Sequence, residues 1–257
     1  MVFDVTGVAG VAFHHVILPR FLYSPGLRWL LFTSESMRDE PRSMDLYLIR
    51  HAQSVNNALP EAERVEDPPL TELGRRQAAC LAEQIPTLDL TRMVVSPFLR
   101  TLETAEYLCR ATQLAPQVQA SLHEVGGCVQ GPEPSVMVGR PGMTRLAIEE
   151  RFPAYVVEDR IDARGWWRSQ PHETPDQAQV RARELLADTQ RRFAHTEERV
   201  AYVMHADIEM LFLACLTATE IEVPFNTSVT HVVVAPEVTR VTDYNDVRHL
   251  TADLQTR

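Results

Sequence analysis

The chain has 257 residues, of which 45% are hydrophobic and 23% charged, and its formal net charge at pH 7 is −10. These values are ordinary for a globular protein with one large α/β domain or two smaller ones. The negative charge argues against a nucleic acid or an anionic membrane as a partner, because both would repel it. A pocket for a small anion would need a few well-placed arginines.

The four cysteines show neither CxxC spacing nor the pattern of a disulfide framework. Cys80, Cys109 and Cys215 lie in segments with helical apolar spacing and are most simply small core residues, and Cys128 stands apart from them. The pattern indicates no zinc site, so we expect a protein of the reducing cytoplasm.

The N-terminal segment differs from the rest of the chain. Residues 2–18 are apolar but are interrupted by Asp4, His14 and His15, with no basic segment before them. This pattern argues against a signal peptide or a membrane span. We interpret residues 1–43 as an N-terminal extension outside the core, or as an artefact of the assigned start, and residues 44–257 as the domain.

From residue 45 onward, strand-like and helix-like segments alternate. Residues 45–50 predict a buried strand, and Thr71 predicts the cap of a helix that runs to about Ile85. Residues 93–95 predict a second strand, after which Ser96 and Pro97 predict the start of a helix. Residues 117–122 predict a third strand.

The second half of the domain begins with an irregular stretch. Residues 126–172, rich in proline and glycine, predict a lid inserted into the core, and the pair Trp166–Trp167 belongs either to that lid or to ordinary packing. A long helix over 175–193, a strand over 200–204, a helix over 208–216 and strands over 229–235 and 239–242 follow. The alternation predicts an α/β fold, a three-layer α/β/α sandwich with a mainly parallel central sheet.

Polar side chains follow three of the predicted strands. Arg50 and His51 end the first, Arg100 lies one helical turn beyond the second, and His205 directly follows a later strand. Glu124 follows the third candidate strand. Taken singly, each is explained as a solvated residue at the end of an element. Ligands bind at the carboxyl edge of an open α/β sheet, however. The recurrence of polar residues at that edge therefore predicts a ligand-binding site.

The joint pattern resembles the histidine phosphatase superfamily, which is also called phosphoglycerate mutase-like. Arg50-His51-Ala52 resembles the opening Arg-His-Gly motif of that family. Residues 69–78 resemble its Leu-Thr-x-x-Gly-x-x-Gln-Ala helix start, and residues 95–105 resemble its Ser-Pro-x-x-Arg segment. Residues 203–206 resemble its second-histidine strand. Residues 122–124 match the stretch that bears the acidic proton donor. The resemblance covers about residues 45–245.

This resemblance implies a role for each residue at the predicted site. His51 would attack phosphorus, Glu124 would protonate the leaving alcohol and later help to activate water, and the phosphoryl oxygens would be surrounded by Arg50, Arg100, His205 and Asn57. Two forked guanidiniums can supply the positive charge without a metal ion or a cofactor. We expect an unprotonated His51, and a Glu124 whose pKa is raised in the liganded site.

Departures from the family motifs bear on which activity is expected. Val125-Gly126-Gly127 lacks the Arg-His-Tyr run of the glycolytic mutases, so hydrolysis of a small phosphorylated metabolite or a phosphoprotein is favoured over a mutase reaction. Ala52 and Ala206 replace glycines that approach phosphate closely. They leave open a catalytically weak phospho-ligand-binding or regulatory module. A metallohydrolase is disfavoured, because the nine histidines show no HxH or HExxH spacing.

Overall fold

The computed structural model describes residues 42–131 and 134–257. Six helices are present in these ranges: α1 (Val55–Ala58), α2 (Glu72–Gln84), α3 (Leu99–Thr112), α4 (Arg145–Arg151), α5 (Pro175–Phe193) and α6 (Ala206–Ala214). The strands are β1 (Met44–Arg50), β2 (Arg92–Val95), β3 (Gln117–Val118), β4 (Val129–Gln130), β5 (Val138–Gly139), β6 (Val156–Val157), β7 (Arg199–Met204), β8 (Val229–Val234) and β9 (Thr239–Asp246). Residues 1–41 of the predicted extension (1–43) lie outside the described residues.

Seven strands form one central sheet in the order β6-β3-β2-β7-β1-β8-β9. The first five run parallel, whereas β8 pairs antiparallel with β1 and with β9. Because β2, β7 and β1 are adjacent and parallel, the residues that follow them meet at one edge of the sheet. The predicted mainly parallel sheet is confirmed.

Helices cover both faces of this sheet. Along β1, Tyr47 and Ile49 pack in the core on the side of α2 and α3, whereas Leu46 and Leu48 pack on the side of α5 and α6. Full burial of an aliphatic side chain such as Leu46, Leu48 or Ile49 stabilises the fold by about 1.5–3 kcal/mol. The near-continuous apolar sequence of β1 therefore follows from two covered faces, and the predicted three layers are confirmed.

Several predicted helix boundaries are confirmed by the capping geometry. The Thr71 hydroxyl accepts a hydrogen bond from the Gly74 N–H at 2.9 Å and begins α2. Thr174 and Gln177 form a capping box at the start of α5, which spans the predicted 175–193.

The predicted helix start at Ser96 and Pro97 is wrong by two residues. Helix α3 begins at Leu99, with Phe98 as its N-cap. Two long-range contacts explain the difference. The Ser96 hydroxyl bonds to His205, and the carboxylate of Asp67 accepts the hydrogen bond of the Leu99 N–H at 2.8 Å.

The irregular stretch 126–172 contains several short elements. Strands β4 and β5 pair with each other, α4 follows, and β6 adds an edge strand to the central sheet. Trp166 and Trp167 are buried and contact each other and His123. They pack as anchors of this stretch, and its function as a lid stays a prediction.

Candidate active site

The carboxyl ends of β1, β2 and β7 bring the predicted basic residues together. Arg50 is the last residue of β1, His51 and His205 directly follow β1 and β7, and Arg100 lies in the first turn of α3 beyond β2. The rings of His51 and His205 lie with their centroids 5.0 Å apart at an interplanar angle of 63°. The expectation of one shared site at the sheet edge therefore agrees with the geometry.

His51 presents an unprotonated nitrogen to the site. Its Nδ1 lies 2.7 Å from the carbonyl oxygen of Ala52, and since a carbonyl only accepts, Nδ1 is the donor. Nε2 is then a lone-pair nitrogen, and it accepts from Nε of Arg100 at 3.2 Å. Burial, followed by the charges of Arg100 and Arg50, holds the pKa of His51 well below its ordinary value. The imidazole is thus neutral near pH 7, as a nucleophile requires.

Backbone contacts hold the His51 loop in place. The Asn226 amide donates to the His51 carbonyl at 3.0 Å, and the Ala52 N–H donates to the Thr104 hydroxyl at 3.1 Å. Sequence reasoning missed both partners. The sequence could have indicated Thr104, because it lies one helical turn after Arg100 in α3. Nothing in the local sequence connects Asn226 to His51.

Arg50 and Arg100 are two buried cations at this edge of the sheet. Their exposed fractions are 4% and 9%, and within the described residues neither has a carboxylate oxygen within 4.0 Å. One guanidinium nitrogen of Arg50 donates to the Pro224 carbonyl, while its Nε has no partner there. Burial lowers the pKa of both arginines, so desolvated charge is concentrated at this edge. Such a pair is suited to an anion of high charge density.

His205 lies against this pair without being exposed. Its Nε2 is 2.8 Å from the Ser96 hydroxyl, and its Nδ1 has no hydrogen-bond partner in the described part of the chain. Burial and then the charge of Arg100 hold the pKa of His205 well below its ordinary value. As a neutral imidazole, it can hydrogen-bond a bound oxygen without adding a full charge.

Glu124 lies at the amino end of α6. One oxygen accepts from the N–H groups of Val125 at 2.9 Å and Ile208 at 3.2 Å, and the other lies 3.5 Å from the Asp207 nitrogen. Burial, followed by the charge of Asp207, raises the pKa of Glu124 to about 7, although Arg100 acts in the opposite direction. The carboxyl can therefore gain and lose a proton near neutral pH, which suits a general acid.

Asn57 has a local partner. Its side-chain oxygen accepts from the Ser54 N–H at 3.0 Å and from the Ser54 hydroxyl at 2.8 Å, and so it caps α1. In the described residues it forms no hydrogen bond with His51, Arg50 or Arg100. Its role as a donor to a phosphoryl oxygen stays a prediction.

An aromatic wall that sequence reasoning did not assign to the site supports Arg100. The Arg100 guanidinium lies over the Phe98 ring at 4.2 Å, and Phe98 packs edge-on against Trp166 at 4.7 Å. Phe98 also contacts His205, with ring centroids 5.0 Å apart. The tryptophan pair was visible in the sequence, but nothing in the pattern placed Trp166 against Phe98.

No group of three or more His, Cys, Asp or Glu side chains in the described residues has a geometry that could hold a metal ion. None of the helices in the described ranges has the length and apolar character needed to cross a membrane.

The chain matches the family model of the histidine phosphatase superfamily (branch 1) over residues 46–247. A protein of Yersinia pestis (strain Pestoides F) named probable phosphoglycerate mutase GpmB is 32% identical over 121 residues, which are 47% of this chain and 53% of that protein. The chain thus matches only about half the length of such curated relatives.

Solved structures share the fold. Bacillus stearothermophilus YhfR is 24% identical with a TM-score of 0.56, and the match covers 80% of this chain and 98% of that one. A mycobacterial glucosyl-3-phosphoglycerate phosphatase is 23% identical with a TM-score of 0.54, over 80% of this chain and 100% of that one. A phosphoglycerate mutase from Bacillus anthracis str. Sterne is 18% identical with a TM-score of 0.57, over 81% and 96% of the two chains. With the model match over most of its length, this chain belongs to the histidine phosphatase superfamily, branch 1.

Proposed function

We propose that the protein is a metal-independent phosphomonoesterase that hydrolyses a small phosphorylated substrate through a phosphohistidine on His51. One observation carries the proposal: the lone-pair nitrogen of His51 lies 3.2 Å from the buried Arg100 guanidinium, and neither Arg100 nor the buried Arg50 has a carboxylate oxygen within 4.0 Å in the described residues. Burying unpaired cations costs free energy unless an anion binds them. A phosphoryl group, with up to two negative charges, fits that requirement.

In the first step, Nε2 of His51 attacks phosphorus while the bond from phosphorus to the ester oxygen breaks. The forked donors of Arg50 and Arg100 stabilise the charge on the equatorial oxygens, which is the main need of phosphoryl transfer. The proton on Glu124 goes to the leaving alkoxide, which departs as an alcohol. The pKa of about 7 for Glu124 makes that proton available near neutral pH.

In the second step, water attacks the phosphohistidine. The Glu124 carboxylate accepts a proton from the water as the bond between phosphorus and Nε2 breaks. Inorganic phosphate leaves, and both His51 and Glu124 return to their starting protonation states. The hydrogen bond from Nδ1 of His51 to the Ala52 carbonyl keeps the ring in one orientation through both steps.

A mutase reaction is the second candidate, because a relative carries that name. It would require a second hydroxyl of the bound molecule to take the phosphoryl group from His51 faster than water does. The stretch directly after Glu124 offers only Val125, Gly126 and Gly127, without a cation to hold a carboxylate. This supports water as the acceptor.

The test is hydrolysis of p-nitrophenyl phosphate in EDTA by the wild type, His51→Ala and His195→Ala, in which an exposed histidine far along the chain is removed as a control. We expect activity in the wild type and the control and none in His51→Ala. Labelled phosphate should be trapped on the wild type and on His195→Ala, but not on His51→Ala, after an alkaline quench. Equal activity in His51→Ala would refute the proposal, and inactivity of all three with retained phosphate binding would favour the phospho-ligand-binding module.

Glu124→Gln tests the acid role separately. An alkyl phosphate has a poor leaving group that needs the proton, whereas nitrophenolate leaves without one. We expect hydrolysis of glycerol 2-phosphate to fall at least tenfold more than that of p-nitrophenyl phosphate, by analogy with the ~10²–10⁴-fold contribution of a general acid. Equal losses on both substrates would remove Glu124 from that role.

A further inference from the structure

Asp207 occupies a place beside Glu124 that the proposed mechanism does not use. It is the second residue of α6, and its side chain is exposed to solvent. Its backbone nitrogen lies 3.5 Å from one oxygen of Glu124, and the next N–H, that of Ile208, donates to the other oxygen at 3.2 Å. The Glu124 carboxyl therefore lies against the first turn of a helix that itself carries Asp207 and Glu209.

Two opposite influences act on Glu124 at this position. The free N–H groups at the amino end of a helix stabilise a carboxylate and so favour loss of the proton. A neighbouring negative charge disfavours a second one and so favours retention of the proton. After burial, the charge of Asp207 is the main factor that raises the pKa of Glu124.

Other charged groups lie near Glu124, and Arg181 of α5 donates to the carbonyl of the preceding residue, His123, at 2.9 Å. Arg100 on α3 and Arg50 on β1 attract its negative charge, and Glu209 on α6 repels it. His51 and His205 face the same site as neutral rings. The side chains of Arg50, Arg100, Glu209, His51 and His205 are buried, so Asp207 is the member of the set that can be changed without disturbing the core.

We propose that Asp207 is a positioning residue whose charge keeps the proton on Glu124 at neutral pH, and so extends the hydrolysis of esters with poor leaving groups to higher pH. This inference rests on the proposed role of Glu124 as the acid. Asp207 itself touches neither the phosphoryl group nor His51 in this scheme. Its exposure also predicts that salt screens its effect.

The experiment compares Asp207→Asn with Asp176→Asn. Asp176 is exposed in the first turn of α5 and borders the same surface depression as Asp207, so its substitution makes the same change of charge nearby. The pH profile of kcat is measured with glycerol 2-phosphate and with p-nitrophenyl phosphate, at low and at high salt. Asp207→Glu, which restores the charge, serves as the rescue variant.

With glycerol 2-phosphate, we expect Asp207→Asn to shift the alkaline limb of the kcat profile to lower pH by about half a unit, as for an exposed neighbouring charge. At pH values above this limb, kcat should then be roughly threefold lower than in the wild type. High salt should move the wild type toward the variant and leave the variant in place. Asp176→Asn and Asp207→Glu should follow the wild type, and p-nitrophenyl phosphate should show no shift. An unmoved limb in Asp207→Asn, or the same shift in Asp176→Asn, would overturn the inference.

A second readout does not depend on turnover. Carboxyl carbon NMR of protein labelled at glutamate side chains gives the titration of Glu124, with Glu124→Gln to assign its signal. The Glu124 midpoint should fall by a similar amount in Asp207→Asn and stay in place in Asp176→Asn. If the midpoint moves but Glu124→Gln has no dependence on the leaving group, the proposed acid role fails while the coupling stands. An unmoved midpoint refutes the coupling itself.

Discussion

Replacing Glu209 with glutamine should remove a pH-dependent cost from the stability of the fold. The Glu209 side chain is fully buried in α6, where one oxygen accepts from the Thr230 hydroxyl at 2.8 Å and the other has no partner among the described residues. Burial raises the pKa of Glu209 from 4.5 to about 7, although Thr230 and the charge of Arg50 act in the opposite direction. The folded chain therefore holds this proton more tightly than the unfolded chain does.

The sign and size of the effect follow from linkage. Between pH 4.5 and about 7 the folded state binds more protons at Glu209 than the unfolded state, so its contribution to stability falls as the pH rises through this window. The shift corresponds to about 3 kcal/mol, all of it lost above pH 7 and none below pH 4.5. Glutamine does not titrate and keeps an oxygen for Thr230, at a constant cost of about 1–3 kcal/mol if its amide N–H groups stay unpaired.

Urea unfolding of the wild type and Glu209→Gln at several pH values measures this difference. The free energy of unfolding of the variant, relative to the wild type, should rise by about 3 kcal/mol between pH 4.5 and pH 8. Thr230→Val, which removes the donor to Glu209, should show a steeper loss of stability with pH than the wild type. A constant difference between Glu209→Gln and the wild type would refute an ionised buried carboxyl at this position.

Two further predictions concern the site and its supports. Arg100→Lys keeps the charge but loses the forked donors and the Nε that contacts His51 at 3.2 Å, so kcat/KM for p-nitrophenyl phosphate should fall about 10²–10³-fold with an unchanged circular dichroism spectrum. A loss under threefold would argue against bidentate binding. Gly74→Ala would place a Cβ 2.1 Å from the Gln53 carbonyl oxygen, so the thermal midpoint should fall by several degrees, whereas Ala78→Gly in the same helix should cost only about 1 kcal/mol beyond its small packing loss. A Gly74→Ala protein with the wild-type thermal midpoint would show that the loop containing Gln53 moves away from α2 without loss of stability.

The sequence predicts the site best where function depends on the ends of strands. Arg50, His51 and His205 each follow a short apolar run, and a parallel sheet brings such ends together whatever the connections are. The apolar spacing likewise predicted α5, and the structure shows that Thr174 caps it. These features depend on residues that are neighbours in the chain.

Features that depend on distant partners were missed. The start of α3 is fixed by the Asp67 carboxylate, and the tautomer of His51 is fixed by the direction of the Ala52 carbonyl. Glu209 lies in a segment whose apolar residues predicted an ordinary core helix, and its partner Thr230 comes from β8. Periodicity describes which face of a helix is buried but not which polar group a buried carboxyl meets.

The two alanines that replace family glycines bear on the choice between an enzyme and a binding module. Neither Ala52 nor Ala206 has a positive φ, so the backbone there needs no glycine and carries no strain from the methyl group. The Ala52 methyl packs in a small apolar cluster with Leu70 and Ala78, between its own loop and α2. A methyl group in that cluster takes no part in the anion site. The φ angles at Ala52 and Ala206 therefore give no reason for weak catalysis, and the Ala52 methyl gives no steric one. In the proposed mechanism, turnover then depends on the Glu124 proton rather than on close approach of the backbone.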